Sequence, residues 1–404
     1  PALDYLNVIA GTSASSGGAV HIVPPMTVGN GYMAPLSAKL KQACGGTAIL
    51  VAGRINQPQD AERIIAGSSA DMCGMTRAMI CDPAMPSKAR VGAVDEIRAC
   101  IGCNQACIGH AQIGLSISCI QFPESGRELR FGDRPKTQVP RRVLVVGGGP
   151  AGMKAASVAA EAGHAVTLWE RSASLGGQAL LAQALPHREE FGGIVDNLRR
   201  EVERAGVKVV LNRGLNEALC EDFAPDGGIL ATGSRRWTPP LEGGEGIEVL
   251  HHEDILAGAV TGQRVVVHDW RADWIGIGMA EKLATAGAHV RLAVNGVCPG
   301  MSIQNYVRDA GIARLHGAGV EVIPFMRLYG AEDRTVYLLH TASQNAVVLE
   351  DVDTLVVVPP NQPNAEHEAW LAASSNGYRV IGDALAPRTA EEAVYEGLAA
   401  TLDL

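Results

Sequence analysis

The chain has no excess of basic residues: 34 Lys and Arg stand against 43 Asp and Glu, for a formal net charge of -9 and a pI near 5.7. This balance argues against a nucleic-acid-binding surface. No apolar run approaches the length of a transmembrane helix, and no signal peptide opens the sequence. Nine cysteines in a chain without export signals indicate a reducing compartment, so we expect a cytoplasmic protein.

The composition is that of a globular protein with a large core, since 47% of the 404 residues are hydrophobic and 19% are charged. This length predicts two to three domains. Outside one short stretch, the cysteines show no paired spacing, so we interpret them as ordinary core or surface thiols. The cysteines outside that stretch are Cys44, Cys73, Cys81, Cys220 and Cys298.

The remaining four cysteines lie within CIGCNQACIGHAQIGLSISC. Three of them follow a C-x2-C-x3-C spacing, and the fourth comes after eleven further residues. Thiolates select zinc or iron–sulfur clusters, and structural zinc usually takes two close pairs of ligands. A compact triplet with one remote cysteine instead favours [4Fe–4S] ligation. We therefore predict one such cluster, with zinc or four buried thiols as alternatives. The predicted ligands are Cys100, Cys103, Cys107 and Cys119.

Strands and helices alternate before this stretch. AILVAG is an apolar run that ends in Gly53, QPQDAERIIAG is an amphipathic helix closed by Gly67, and ADMCGMTRAMI holds the next strand. This alternation predicts a parallel sheet, either doubly wound or a barrel. Gly53 allows a phosphate to approach the backbone, and Arg54 and Arg77 can bind its oxygens. Residue type alone favours the alternative, in which both arginines are solvated.

The segment Arg141–Glu170, RRVLVVGGGPAGMKAASVAAEAGHAVTLWE, carries a nucleotide-binding motif. A strand is followed by Gly147, Gly149 and Gly152 at G-x-G-x-x-G, then by a helix and a strand that ends in an acid. The glycines allow a tight turn, close approach of a pyrophosphate and close helix packing. Glu170 is placed for the ribose hydroxyls. We predict that an adenine nucleotide binds here.

A second strand–helix–strand unit, RVVVHDWRADWIGIGMAEKLATAGAHVRLAV, lacks these glycines. Trp270 and Trp274 are bulky where the backbone would have to approach a pyrophosphate closely. Asp269 and Asp273 place negative charge where that pyrophosphate would lie. We predict that this unit keeps its fold without binding NAD(P)H, and that the tryptophans pack the domain rather than a ligand. The alternative is that the charged loop is only a solvated face.

Together these motifs resemble the family of 2,4-dienoyl-CoA reductase, trimethylamine dehydrogenase and histamine dehydrogenase. Its members join an FMN-binding TIM barrel of the old yellow enzyme type to a [4Fe–4S] segment and a region that binds FAD, or ADP in its place. CIGCNQAC is the most specific part of the resemblance, which covers nearly the whole chain. The positions that it implies for FMN are Gly53, Arg54, Gly74 and Arg77. Those that it implies for FAD or ADP are Gly147, Gly149, Gly152, Glu170, Arg171, Gly177, Gln178, Thr232, Gly233 and Asp383.

The second nucleotide unit departs from the reductase, which carries a glycine-rich NADPH loop there. HDWRADWIGIG is instead similar to the amine dehydrogenases, which pass electrons to an electron-transferring flavoprotein. The aromatic cage for a trimethylammonium group is missing, with Leu6 and Ala111 in place of its tryptophans. The resemblance therefore implies an amine dehydrogenase or N-demethylase of the dimethylglycine and N-methylproline type. Its expected partners are a small-molecule amine or N-methyl amino acid and an electron-transferring flavoprotein or iron–sulfur protein; we also expect a homo-oligomer.

Compared with that family, the sequence begins at about the sixth barrel strand, and a barrel closes only with its full set of strands. We expect that the remainder was not recorded or that the chain is a fragment, and no catalytic residue is assigned. The predicted fold class is α/β. Its parts are the C-terminal portion of a TIM (β/α)8 barrel (1–99), the iron–sulfur segment and linker (100–140), a Rossmann-like FAD- or ADP-binding domain (141–240 and 351–404), and an inserted NAD(P)-like domain with a degenerate loop (241–350).

Two other functions stay open. The cysteine spacing and the segment SLGGQ, which also favours FAD over ADP, are similar to those of an NAD(P)H-dependent enoyl or dienoyl-CoA reductase. A third possibility is an electron-transfer subunit without its own substrate domain.

Overall fold

The computed structural model describes residues 3–364, 366–367 and 377–402. It divides into two compact units. Unit 1 comprises Pro1–Pro135 and Gln304–Asp309, and unit 2 comprises Lys136–Ile303 and Ala310–Leu404. The division after Pro135 falls at the end of the segment predicted as iron–sulfur segment and linker. Within the described ranges, no helix is long and apolar enough to cross a membrane.

Unit 1 contains a small parallel sheet and short helices. In chain order these are β1 (Tyr5–Val8), α1 (Ser16–Ala19), α2 (Ala34–Ala43), β2 (Ala48–Ala52), α3 (Pro58–Ala66), β3 (Met72–Gly74), α4 (Thr76–Cys81), α5 (Met85–Arg90), a 3-10 turn (Val94–Glu96), a π-helix (Gln105–Gly109), α6 (His110–Gln112) and α7 (Glu128–Phe131). The strands lie in the order β1-β2-β3, each parallel to the next.

The core of unit 1 follows from the apolar pattern of its strands and of α3. Ile49 and Val51 alternate along β2 and are fully buried, and the single buried residue of α3, Ile64, packs with them. The outer strands are more open, since Tyr5 is 58% and Met72 is 44% exposed. The predicted alternation of parallel strands and helices is present. That these strands form part of a barrel stays a prediction.

Unit 2 contains most of the regular structure, and the helix Asn305–Gly317 is divided between the two units after Asp309. In chain order it comprises β4 (Arg142–Val146), α8 (Pro150–Glu161), β5 (Ala165–Trp169), α9 (Ala179–Ala182), a 3-10 turn (Glu189–Gly192), α10 (Gly193–Arg204), β6 (Lys208–Val210), α11 (Glu217–Phe223), β7 (Gly227–Leu230), β8 (Ser234–Arg235), β9 (Glu242–Gly243), β10 (Glu248–His251), α12 (His252–Leu256), β11 (Arg264–Asp269), α13 (Trp274–Thr285), β12 (His289–Val294), α14 (Asn305–Gly317), β13 (Glu321–Ile323), β14 (Met326–Glu332), β15 (Thr335–His340), β16 (Ala346–Leu349), β17 (Thr354–Val358), β18 (Gln362–Pro363), β19 (Tyr378–Val380), a 3-10 turn (Gly382–Ala384) and α15 (Ala390–Ala399).

Two five-stranded parallel sheets organise these elements. The first has the order β19-β7-β4-β5-β6 and the second the order β10-β17-β11-β12-β13. Their central strands β4, β11 and β17 are buried along nearly their whole length, as parallel sheets covered on both faces require. The predicted pair of Rossmann-like units is therefore present, which confirms the α/β class for this part of the chain.

One strand lies outside its predicted domain. Thr354–Val358 was assigned to the nucleotide-binding domain that resumes at residue 351, but β17 pairs with β10 and β11 in the second sheet. Strand β19 is the one that returns to the first sheet, beside β7. An apolar run such as TLVVV does not identify its neighbours, because the same pattern suits either sheet.

Candidate cofactor-binding sites

The four clustered cysteines line one cavity in unit 1. All nine cysteines of the chain are free thiols. In the described part of the chain, no three of the cluster's sulfurs lie within 4.8 Å of one another as a ligand set for a single ion would. Sulfurs around one tetrahedral zinc lie about 3.8 Å apart, because each Zn–S bond is about 2.3 Å long. The iron–sulfur cluster and its zinc alternative both stay predictions for this cavity.

Backbone N–H groups surround these sulfurs, as is common around iron–sulfur clusters. Gly102 donates to Cys100, Gln105 to Cys103, Ile108 to Cys107, and both Gln121 and Phe122 to Cys119. Burial raises the pKa of Cys100 and Cys103, and it raises that of Cys107 to about 11. A hydrogen bond with Cys81 lowers the pKa of Cys119 to about 7. A bound metal takes thiolates, so its binding would release protons.

Cys81 is a fifth thiol at this place, although its spacing does not separate it from the scattered cysteines. It is 1% exposed, its Sγ accepts a hydrogen bond of 3.3 Å from Gln121 Nε2, and it contacts Cys119. It does not line the cavity itself. The only available signal was its position at the end of the helix that carries Arg77.

Arg77 lies in the wall of the cysteine cavity. Its Nη1 donates to Pro24 O at 2.8 Å and to Asn104 Oδ1 at 2.7 Å. Asn104 adopts a left-handed conformation with φ 59°, and its Nδ2 donates to Val23 O at 2.7 Å. These bonds fasten the cysteine loop to the segment that precedes α2.

Arg54 is also buried, with 3% of its surface exposed. Its Nη1 donates to Pro25 O at 3.0 Å and Val28 O at 2.6 Å, and a Cβ added at Gly102 would lie 3.2 Å from its guanidinium carbon. The alternative that Arg54 is a solvated loop residue is therefore wrong. Its predicted contact with an FMN phosphate, like that of Arg77, stays a prediction.

Gly53 and Gly74 end two neighbouring parallel strands, so they lie at the same edge of the sheet. Gly53 has φ +145°, and a Cβ there would come 2.9 Å from both Met33 and Tyr32. This edge is the place where ligands bind in α/β sheets.

The first phosphate turn of unit 2 shows the three separate roles of its glycines. A Cβ at Gly147, which has φ +110°, would lie 2.1 Å from Ala231 O, and one at Gly152 would lie 1.9 Å from Gly147 O. Gly149 is different, because nothing among the described residues lies within 4 Å of a Cβ there. It is the N-cap of α8, whose first turn receives no side-chain cap. The N–H groups of this helix are thus left open for a phosphate.

Glu170 holds this turn from the end of β5. The side chain is 7% exposed; its Oε2 accepts a 2.6 Å hydrogen bond from Gly148 N and its Oε1 a 2.7 Å bond from Ser172 N. Arg171, the next residue, is exposed. The predicted acid therefore lies beside the phosphate turn, with its carboxylate oriented by backbone donors.

Three segments that the sequence suggested as contacts for a flavin meet in one polar network. Gln178 Nε2 donates to Ser234 Oγ, and Ser234 Oγ donates to Asp383 Oδ2 at 3.2 Å. Asn361 Nδ2 joins them, at 3.3 Å from both Gln178 Oε1 and Ser234 Oγ. Burial raises the pKa of Asp383. Sequence reasoning missed Asn361, whose only signal was a polar residue shortly after the buried strand β17, beyond two prolines.

The neighbouring glycines support this arrangement. Gly177 has φ +54°, and a Cβ there would lie 3.1 Å from the Cα of Gly149 in the phosphate turn. Gly233 has φ +74° and its carbonyl accepts from Asn364 N at 3.1 Å. Thr232, between this glycine and β7, is half-buried. The predicted nucleotide residues of unit 2 are thus gathered at the carboxyl ends of β4, β5 and β7.

The second turn is filled by the chain's own carboxylates. Asp269 is fully buried, and its Oδ1 accepts from Arg271 N at 3.1 Å and Ala272 N at 2.9 Å. Its Oδ2 would lie 2.1 Å from a Cβ at Gly276, in the first turn of α13. Asp273 caps the same helix by accepting from Ile275 N at 2.8 Å. Burial raises the pKa of Asp269 to about 7.

The two tryptophans of this loop pack against protein, as predicted. Trp270 makes edge-on contacts with Trp237 and His268, with ring centroids 5.7 and 5.6 Å apart. The guanidinium of Arg188 lies over Trp274, 4.9 Å from the ring. Carboxylates thus hold the amides of Arg271, Ala272 and Ile275 in the second turn, and the alternative of a solvated charged face is wrong for the buried Asp269.

Residues 141–396 match the family model described as pyridine nucleotide-disulphide oxidoreductase. The chain is 30% identical to the N,N-dimethylglycine/sarcosine dehydrogenase of Chromohalobacter salexigens, over 98% of this chain and 63% of that protein. It is 37% identical to the NADH oxidase of Thermoanaerobacter brockii, over 67% of this chain and 42% of that protein.

A solved structure of 2-naphthoyl-CoA reductase superposes with a TM-score of 0.87 at 26% identity, over 98% of this chain and 60% of that one. The chain therefore spans less than two thirds of the length of each of these proteins. The family match covers the open phosphate turn and the polar network, and it supports flavin binding there. By this match the chain belongs to the pyridine nucleotide-disulphide oxidoreductase family.

Proposed function

We propose that the chain is part of a flavin- and iron–sulfur-dependent amine dehydrogenase or N-demethylase, which oxidises an N-methylated amine or amino acid. The observation that carries this proposal is the closed second turn. The carboxylate of Asp269 occupies the amides that the pyrophosphate of NAD(P)H would take. Electrons taken from a substrate then have to leave by another route, and the relative from Chromohalobacter salexigens is named for the oxidation of such amines.

The residues assign three binding places in this proposal. Unit 2 would hold FAD, or ADP in its place, at the open turn of Gly147, Gly149 and Gly152. Unit 1 would hold the [4Fe–4S] cluster in the cysteine cavity and the phosphate of FMN at the strand ends near Gly53 and Gly74. When bound, the flavin supplies two-electron oxidation and the cluster supplies single-electron transfer. Unit 1 is then the C-terminal part of an FMN barrel.

The chain's own groups prepare these places. Glu170 orients the phosphate turn and leaves its carboxylate beside the expected ribose. The network of Gln178, Ser234 and Asp383 presents hydrogen-bonding groups toward the far end of the nucleotide. Arg77 fastens the cysteine loop through Asn104. A separate electron-transferring flavoprotein or iron–sulfur protein would accept the electrons.

A second candidate is an NAD(P)H-dependent reductase of enoyl or dienoyl-CoA substrates. It is favoured by the similarity to proteins named NADH oxidase and 2-naphthoyl-CoA reductase. The filled second turn argues against it, because the Asp269 side chain already accepts from the amides of Arg271 and Ala272, which are then closed to a dinucleotide.

Anaerobic stopped-flow mixing separates the two candidates. The full-length protein is mixed with dimethylglycine, sarcosine or N-methylproline, and in parallel with NADH and NADPH, while flavin absorbance is recorded. We expect at least one N-methyl amino acid to bleach the flavin within seconds, and glycine, which lacks the N-methyl group, to leave it oxidised. Bleaching by NADH or NADPH on a catalytic timescale would overturn the proposal in favour of the reductase.

A further inference from the structure

Three consecutive side chains with metal-binding groups lie together at the end of β10 and the start of α12. His251, His252 and Glu253 each offer one ligand atom, and these atoms lie within 4.8 Å of one another. This is the one such group in the part of the chain that the structure describes. It lies in unit 2, away in sequence from every residue assigned to the flavin or the cluster.

We propose that His251, His252 and Glu253 bind one divalent cation of the zinc class. Two imidazoles and a carboxylate are a ligand set of zinc sites that keep a fourth position for water. Imidazole nitrogen also suits Fe²⁺, Ni²⁺ and Cu²⁺, whereas Mg²⁺ and Ca²⁺ prefer oxygen alone. The site is independent of the proposed amine oxidation.

His252 has the hydrogen-bonding pattern of a metal ligand. Its ring makes one hydrogen bond, to the backbone of Val357, while its Nδ1 is buried and has no partner in the described structure. A ligating histidine typically donates its other N–H to a backbone carbonyl, which fixes the tautomer and the ring orientation. Only 4% of His252 is exposed, and an unpartnered nitrogen at such a place is rare in native proteins.

His251 is buried as deeply, with 1% exposed. Its Nδ1 accepts a long hydrogen bond of 3.3 Å from Glu253 N, and its Nε2 has no partner among the described residues. The two rings are close, with centroids 4.2 Å apart. A cation between the rings and the Glu253 carboxylate would give these buried nitrogens a partner.

Arg236 lies near the Glu253 carboxylate, but the guanidinium groups around this site are hydrogen-bonded to other carboxylates. Arg236 is engaged by both oxygens of Asp254 at 2.7 Å, and Arg271 is bound to Asp273 at 2.6 Å. Each nearby guanidinium thus has its own carboxylate. Glu253 is half-buried, so it is the member of the group that contacts solvent.

Metal titration tests the proposal. Full-length protein with its cofactors is treated with EDTA and titrated with Co²⁺, whose visible absorbance reports its coordination, while iron content is measured to show that the cluster is unchanged. We expect one saturable site per chain. Glu253→Gln and His251→Asn, which retains an N-cap residue, should each weaken Co²⁺ binding by at least about tenfold. His316→Gln, an exposed histidine, serves as the matched control.

X-ray absorption at the zinc edge supplies a second measurement that does not depend on any variant. We expect nitrogen or oxygen ligands at about 2.0–2.1 Å from the zinc, with outer-shell scattering from imidazole, and no sulfur at about 2.3 Å. Three results would overturn the site: no saturable Co²⁺ binding by the wild-type protein, unchanged binding in both variants, or a sulfur ligand shell. The histidines would then be a packed pair of neutral rings.

Discussion

The two strand–turn–helix units of unit 2 have the same order of elements but differ in the residues of their turns. After β4 the turn is glycine, Gly149 caps α8 without a side chain, and the helix N-terminus is open. After β11, Asp269 accepts from amides within the turn, and Asp273 accepts from Ile275 N in the first turn of α13. A helix N-terminus attracts anions. A ligand can use this attraction only where the chain leaves the amides free.

The carboxylates of the second turn therefore act as an internal substitute for a phosphate. These carboxyl groups belong to the chain and have no binding equilibrium of their own, so the turn is closed without a nucleotide. The residues of each turn decide whether its amides are open or closed. Both turns lie between a parallel strand and a helix. The proposed route of electrons through the cysteine cavity follows from this difference.

The iron–sulfur cluster is the proposed exit route for electrons, because we expect the second turn not to bind NAD(P)H. Cys103→Ala deletes one of the four thiols of the cavity, and we expect iron to fall from about four atoms per chain to nearly none, with loss of the broad visible absorbance. Cys44→Ala, a thiol outside the cavity, should retain all iron. Iron analysis and absorbance spectra of both variants test this. Normal iron in Cys103→Ala, or zinc in the wild type, would contradict the assignment.

Alanine at two glycines separates folding from binding in the open turn. Gly147→Ala forces a Cβ to 2.1 Å from Ala231 O at φ +110°, so we expect a loss of stability of about 3 kcal/mol or more and loss of the nucleotide. Gly149→Ala meets no described atom and has φ -76°, so its melting temperature should stay close to that of the wild type. The added methyl group should still weaken nucleotide binding, by about tenfold or more.

Thermal melting and the nucleotide released on denaturation measure both quantities. Equal stability of the two variants would show that the turn is not as tight as described. Full nucleotide content in Gly149→Ala at limiting nucleotide concentration would show that the pyrophosphate does not approach this residue. Finding ADP in place of FAD would correct the cofactor without changing the turn.

The closed turn should make stability depend on pH. Burial raises the pKa of Asp269 from 3.8 to about 7. Between these values the unfolded chain has lost the proton that the folded protein retains, so the free energy of unfolding falls as pH rises through this window. The full loss is about 4 kcal/mol, since each pKa unit corresponds to about 1.4 kcal/mol.

Asp269→Asn should abolish this contribution, because an amide does not titrate and its oxygen can still accept from Arg271 N and Ala272 N. Urea unfolding of both proteins at pH 5 and pH 8 is the measurement, with the exposed Asp133→Asn as control. A pH dependence that is the same in wild type and Asp269→Asn would show that the carboxylate is ionised in the folded protein. In that case the negative charge of Asp269, in addition to its hydrogen bonds, would close the turn to a pyrophosphate.

The smallest expected effect concerns Glu170. Glu170→Gln keeps one oxygen for Gly148 N or Ser172 N but places an NH2 group opposite the other donor, at a cost of about 1–2 kcal/mol. Nucleotide affinity should fall about tenfold, and binding to the apoprotein by calorimetry measures it. Glu161→Gln, on the exposed side of the C-terminal end of α8, is a suitable control. Unchanged affinity in Glu170→Gln would exclude the carboxylate from contact with the ribose.

Local motifs predicted much of this protein because their physical requirements are local. The glycine spacing and the terminal acid at Glu170 need only one strand, one turn and one helix, and the structure has all three. The helix of QPQDAERIIAG is likewise bounded as expected, with Pro58 at its start and Gly67 as its C-cap. In the same way, the cysteine spacing predicted that four thiols lie together, and they line one cavity.

Contacts between distant segments could not be predicted. Cys81 and Asn361 reach their sites through the folding of helices and strands whose neighbours no short pattern specifies. Nor did residue type show that Arg54 is buried, since its carbonyl partners lie about thirty positions earlier (26 and 29). By itself, the sequence determined which turn has glycine and which has aspartate. Only the tertiary structure decided that Asp269 turns inward onto its own amides, because burial and hydrogen bonding depend on groups brought together from the whole unit.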